Sequence, residues 1–128
     1  MYPPMSQMVR LSDYRRRALA LHFTRSELNQ LLGVYSTQVK KGEWRDYSIG
    51  HSPGFARFCI YRNSREATPL YTITKLATEG KARSAQAKKG RYMVTTRHRV
   101  LRQSHSLHQA LRVFDSPIKL VSNYLNRP

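Results

Sequence analysis

From Thr24 onward, the apolar positions of the chain recur first with the period of a helix and then with that of a strand. Thr24 and Glu27 stand at the spacing of a capping box, in which the hydroxyl accepts from the third helical amide and the carboxylate reaches back to the cap. Leu28, Leu31, Leu32, Tyr35 and Val39 follow as one apolar stripe, with Arg25, Asn29, Gln30 and Lys40 off it. Lys40 and Lys41 suit the negative end of a helix, and Gly42 supplies the stop. The pattern predicts a helix that covers a core.

After Gly42 the period becomes two. Trp44 to Ile49 reads as a strand, His51-Ser52-Pro53-Gly54 as a turn, and Phe55 to Arg62 as a second strand. That second strand places Ala56, Phe58 and Ile60 on one face and Phe55, Arg57, Cys59 and Tyr61 on the other. Asn63 to Thr68 is a polar turn, and Pro69 opens a third strand, Leu70 to Leu76, because proline is tolerated at a strand's first residue. Tyr92 to Thr95 and Val100 to Arg102 form a shorter hairpin around Arg97-His98. Ser106 can cap a second helix carrying Leu107, Ala110, Leu111 and Phe114, with Pro117 ending it and a short terminal helix over Ile118 to Leu125. The expected fold is α+β: one helix, a small antiparallel meander of about five strands and a second helix. A basic arm occupies residues 1–22, the core domain residues 23–115, and an extension residues 116–128.

Charge is what changes this picture from a fold into a class of function. The chain holds 23 Lys and Arg against 7 Asp and Glu, a formal +16 on 128 residues. Such a chain repels itself and attracts polyanions, so the expected partner is a nucleic-acid backbone or, less readily, an anionic membrane. With 40% apolar residues it can still build a core, and its length suits a single one. No apolar run approaches the roughly 18 residues that span a bilayer. Cys59 is the only cysteine, which excludes an internal disulfide and a multi-cysteine zinc site and fits a reducing compartment.

The excess charge is concentrated in sequence. Lys75 to Arg102 contains nine Lys and Arg against Glu79 alone, half the net charge of the chain. Its central stretch, Ala77 to Arg91, has no large apolar residue to anchor it and is expected to be a mobile basic loop, of the kind that replaces condensed counterions on phosphates. A second basic stretch, RLSDYRRRALALHF after the uncharged Met1 to Val9, reads either as a mitochondrial targeting sequence or as an arm lying on a polyanion. Tyr2, Pro3 and Pro4 oppose a helix from the very start.

RNA is favoured over DNA, because the sequence offers no helix-turn-helix, zinc-finger spacing or basic region leading into heptads. The aromatic pattern of an RRM is also missing: Phe58 shares the Ala56 and Ile60 face and reads as core. Tyr61, Tyr71 and Tyr92 could stack on bases, although most of the eight Tyr are expected to pack. Catalytic constellations are weak. Cys59 lies mid-strand with neither His51 nor His98 spaced to meet it, and His105 with His108 lacks a third ligand nearby. Glu43, Asp46 and Glu66 form no acid/base pair, and the GKAR of Gly80 to Arg83 lacks the frame of a Walker motif. No catalytic residue, metal or cofactor is expected.

Four blocks carry a resemblance: FTRSELNQLL at Phe23 to Leu32, GEWRDYSI at Gly42 to Ile49, PLYTITK at Pro69 to Lys75 and SLHQALRVFD at Ser106 to Asp115. In this order they resemble an uncharacterised family of small alphaproteobacterial proteins, a domain of unknown function. The resemblance implies a helix, antiparallel sheet and helix, with no assigned catalytic residue. The basic loop and the two tails depart from that pattern, and a bacterial-type domain so enlarged is similar to proteins recruited into mitochondrial ribosomes. The expected function is therefore a non-enzymatic structural protein of a ribosome, in the mitochondrial matrix or alternatively the bacterial cytoplasm, contacting rRNA and neighbouring ribosomal proteins. Arg10, Arg15, Arg16, Arg17, Lys81, Arg83, Lys88, Lys89, Arg91, Arg97, Arg99 and Arg102 are the expected phosphate contacts, and Tyr2, Trp44 and Tyr124 could stack or meet proteins. The alternatives are a supernumerary subunit of a mitochondrial membrane respiratory complex, with the arm on lipid, and a small nucleic-acid-binding regulator.

Overall fold

The computed structural model describes residues 20–115. The terminal helix expected at Ile118 to Leu125 and most of the N-terminal arm lie outside these residues.

Helix α1 spans Arg25–Lys40 and is closed at both ends as its sequence demands. The Glu27 amide donates to Thr24 Oγ1 at 3.1 Å, and the Thr24 amide donates to Glu27 Oε1 at 2.7 Å, so both halves of the capping box are made. At the other end the Gly42 amide donates to the Val39 carbonyl at 2.9 Å and the Glu43 amide to the Gln38 carbonyl at 3.0 Å. Gly42 has φ 78°, the left-handed turn that this terminus needs.

Five strands follow: β1 (Asp46–His51), β2 (Phe55–Tyr61), β3 (Tyr71–Leu76), β4 (Tyr92–Thr96) and β5 (Arg99–Ser104). They pair antiparallel in chain order, β1-β2-β3-β4-β5, which is the expected meander. A register shift at Val94/Thr95 bends the last pair. A short 3-10 turn, Ala85–Lys89, precedes β4, and helix α2 (Leu107–Leu111) runs into a further 3-10 turn at Arg112–Phe114.

The register sorts the two faces. Ile49, Phe58, Ile73 and Val94 stand in one cross-strand row, and Leu31 of α1 with Leu107, Ala110 and Leu111 of α2 close over that face. Phe58, Ile60, Ile73 and Val94 are almost completely buried there. The opposite row, Ser48, Cys59, Thr72 and Thr95, carries no described helix. This alternation is the one the sequence of β2 predicts.

Three expectations need correction. Trp44 does not begin β1; it is only 3% exposed, and its ring meets Tyr35, Tyr71 and Phe114. A tryptophan just outside an edge strand gains more by turning under the helices than by staying in the ladder. Val39 is 40% exposed, and Gln38 takes its place against the core, its Nε2 donating to the Phe114 carbonyl at 3.5 Å. Gln38 lies seven residues after Leu31 and so returns to the same side of the helix.

The third correction concerns residues 77–91, which are anchored rather than free. Ala77 and Ala87 are buried. The Ala77 amide donates to the Gly54 carbonyl at 3.0 Å, the Ser84 amide to the Ala77 carbonyl at 2.9 Å, and Gln103 Nε2 to the carbonyls of Gln86 and Gly90 at 2.8 Å each. Main-chain bonding and two alanine methyls do the anchoring that large apolar side chains would otherwise do. Gly90 is the tight point: its φ is 153°, and a Cβ there would meet the Ser104 backbone at 2.6 Å. Gly90→Ala is expected to cost about 2–3 kcal/mol through strain and displacement of β5. Equilibrium urea unfolding checks it, and an unchanged midpoint would refute the close approach.

Candidate nucleic-acid interface

The strongest ionisable cluster among the described residues is internal. Lys75 Nζ donates to Glu27 Oε1 at 2.8 Å and to the His22 carbonyl at 2.8 Å, and the Tyr92 hydroxyl donates to Glu27 Oε2. The Lys75 and Glu27 side chains are 5% and 10% exposed. Burial alone would raise the Glu27 carboxyl, but hydrogen bonds from Lys75, Tyr92 and the Thr24 amide together hold it below its ordinary value. Burial first, and then the bond to Glu27, push the Tyr92 phenol up to about 12. Enclosed and mutually satisfied, these groups fasten α1 to β3 and β4. Lys75 and Tyr92 are therefore withdrawn from any interface: Lys75 drops out of the exposed charge of the stretch Lys75 to Arg102, and Tyr92 is among the tyrosines that pack.

The other candidate reactive groups are dispersed. Cys59 faces the open side of the sheet with Thr72 Oγ1 4.0 Å from its sulfur, whereas His51 belongs to the covered-face row with Ala56. His51 lies against His22, ring centroids 4.2 Å apart, and burial followed by that neighbour holds its imidazole below the ordinary value. Asp46 Oδ1 accepts from the Tyr47 amide at 2.9 Å, and Glu66 Oε1 accepts from Asn63 Nδ2 at 3.2 Å. Among the described residues no three of His, Cys, Asp and Glu lie close enough to hold a metal ion.

The cations that run together in sequence separate in space. Lys81, Arg83, Lys88 and Lys89 are at the end of the sheet where β3 leaves and β4 enters, in the segment that joins those strands. Arg91 is half-buried there, its Nε donating to the Leu76 carbonyl at 3.2 Å. Arg97 and Arg99 are exposed at the β4–β5 turn, which is the opposite end, one strand length or roughly 15 Å away. Arg102 is on the edge strand β5 between them. Arg10, Arg15, Arg16, Arg17, Tyr2 and Tyr124 lie outside the described residues.

Three further cations complete the arrangement. Arg62 and Arg65 follow β2 and so join Arg97 and Arg99 at their end of the sheet. Arg57 stands mid-strand on the open face, its guanidinium 4.0 Å above the Phe55 ring. The alternation within β2 carries the signal for Arg57; a count of charge along the chain passes over it. The result is a sheet face on which, among the described residues, Ser48, Cys59, Thr72 and Thr95 carry no helix while Thr74 and Leu76 are buried, with cations at both ends of its strands and Arg57 between. Glu66 and Glu79 are the acids of the two end loops.

This arrangement sits in a segment with known relatives. Residues 21–111 match a family described as a protein of unknown function, DUF2794. The chain belongs to that family. The DUF2794 match takes in α1, all five strands, the basic loop and α2, while the tails lie outside it. No curated protein and no solved structure matches the chain. The expected likeness to mitochondrial ribosomal proteins thus finds no support, and DUF2794 membership brings no assigned activity with it.

Proposed function

We propose that this protein is a non-enzymatic RNA-binding protein that grips phosphates through cations at the two ends of the sheet face opposite its helices. The observation that supports this is the placement of charge: Lys81, Arg83, Lys88 and Lys89 at one end and Arg62, Arg65, Arg97 and Arg99 at the other, with Arg57 between. Cations spaced in this way can meet successive phosphates of one backbone, and the release of their counterions drives binding. The finer part of the proposal is a structural place in a ribosome, with rRNA and neighbouring ribosomal proteins as partners. A fold devoted to presenting charge, in which the buried Lys75–Glu27 pair is fastening rather than reactive, accords with that role.

Binding of the full chain to a generic RNA is expected to weaken steeply with salt and to depend little on sequence. Replacing Lys88 and Lys89 by Ala should weaken binding to every RNA alike and reduce the salt slope by about one per lysine. Fluorescence anisotropy across a salt series measures both. A slope unmoved by the double substitution would take the loop out of the interface. Sedimentation of the native protein from a gentle lysate, with and without RNase, tests the assembly. Co-migration with one ribosomal subunit, abolished by RNase, is expected; retention on membranes, or a light position that RNase does not change, refutes the ribosomal proposal.

A further inference from the structure

We propose that the open face of the sheet is a stacking platform for the bases of single-stranded RNA, an inference that rests on the RNA-binding reading above. Three tyrosines are candidates from sequence, and the structure separates them. Tyr71 packs its ring against Trp44 and Phe114, and Tyr92 is buried on Glu27. Tyr61 alone of the three belongs to the open face, where its hydroxyl lies 3.2 Å from Ser48 Oγ. That bond holds the ring at one orientation and so lowers the entropy lost when a base settles on it.

A second flat surface lies on the same strand. The Arg57 guanidinium rests 4.0 Å over the centroid of Phe55, a geometry that places a planar cation above an aromatic ring. Such a plane stacks on a nucleobase and neutralises a phosphate at the same time. Arg57 and Tyr61 are four residues apart along β2, roughly 13 Å, which is room for separate bases. Cys59 lies between them on this face, with Thr72 beside it and the buried Thr74 beside Arg57, so no large side chain of β2 or β3 rises between the two planes. The Thr72 and Thr95 hydroxyls donate to Cys59 Sγ and to the Thr72 carbonyl, which leaves their oxygens to accept from base amino groups.

Charge argues for a nucleic-acid occupant. Among the described strand residues of this face the acid is Asp46, the register partner of Tyr61; one of its carboxylate oxygens accepts from the Tyr47 amide, and cations border both ends. A duplex would present only its phosphates to this surface, because its base faces are already stacked. A single strand can give phosphates to the ends and bases to the middle, and so uses the whole face.

The test compares a fluorescein-labelled single-stranded RNA with an RNA hairpin of equal phosphate number, both with the full-length protein at one salt concentration. Wild type is expected to bind the single strand more tightly. Tyr61→Leu should weaken single-strand binding about fivefold or more while leaving hairpin binding and its salt slope unchanged, and Arg57→Lys should weaken single-strand binding by more than it weakens hairpin binding. Arg57→Lys keeps the charge and removes the plane, so a purely electrostatic role predicts no change. A 4-thiouridine strand should crosslink to residues 55–61 on irradiation. Equal losses on both RNAs, or no loss on either, would overturn the platform and leave the phosphate-binding reading standing. Failure of the wild type to bind either RNA would overturn both.

Discussion

Replacing Glu27 by Ala is expected to destabilise the fold by about 3–5 kcal/mol, a large share of what a domain of this size possesses. The loss comes less from the attraction removed than from what is left behind. Lys75, 5% exposed, would keep its ammonium in the interior with only the His22 carbonyl to receive it, and the Tyr92 hydroxyl would lose its acceptor. The cap of α1 would lose its second bond as well, since Glu27 Oε1 also accepts from the Thr24 amide. Urea unfolding followed by circular dichroism measures the effect. The paired replacement Glu27→Leu with Lys75→Met should recover most of the loss, because it leaves no orphaned charge. A single variant that unfolds at the wild-type midpoint would show that the cluster is not enclosed as described.

The same cluster sets a pH dependence at both extremes. The Glu27 carboxyl is depressed in the folded state, so the stability it contributes is complete above the ordinary carboxylate range and is lost as pH falls through the lowered folded value. Tyr92 behaves oppositely: burial and the Glu27 bond favour the protonated phenol, so stability declines as pH rises from 10.0 towards about 12. In Tyr92→Phe the alkaline decline should flatten.

The second large effect is expected at Trp44. Trp44→Ala should cost about 3–5 kcal/mol, because the ring is 3% exposed and fills the space among Tyr35, Tyr71 and Phe114. The tyrosine and phenylalanine rings cannot collapse into a space of that size without leaving their rotamers. Its RNA affinity, measured below the melting transition of the variant, should match wild type. Thermal melting together with anisotropy separates the alternatives: weakened RNA binding at an unchanged melting temperature would return Trp44 to the surface role that its place beside a strand suggests.

The fold is largely legible in the sequence because its local signals agree with one another. Thr24 and Glu27 mark the start of α1, Gly42 its end, and the alternation of Phe55 to Tyr61 is enough to identify the core face of β2. What escapes a linear reading is what depends on contacts between distant segments. A lysine in a threonine-rich strand reads as solvated until its carboxylate partner, 48 residues earlier, is known. The anchoring of residues 77–91 is hidden for a similar reason, since Ala77, Ala87 and the Gln103 amide look inert singly. The candidate interface is half legible. Charge density picks out the stretch from Lys81 to Arg102, but a linear count cannot register that a strand of five residues carries Arg97 away from Lys89.

The chain order of the strands bears on how the molecule assembles. In a meander each strand pairs with the one before it, so the sheet can zip by closing short loops. The Glu27 carboxylate, by contrast, bonds residues 48 and 65 positions further along, one in β3 and one in β4. Glu27→Ala is therefore expected to speed unfolding more than it slows folding, which the two arms of a stopped-flow chevron measure. On that expectation Glu27 is a late latch: the sheet can pair without it, but the molecule stays folded for long only once it has closed.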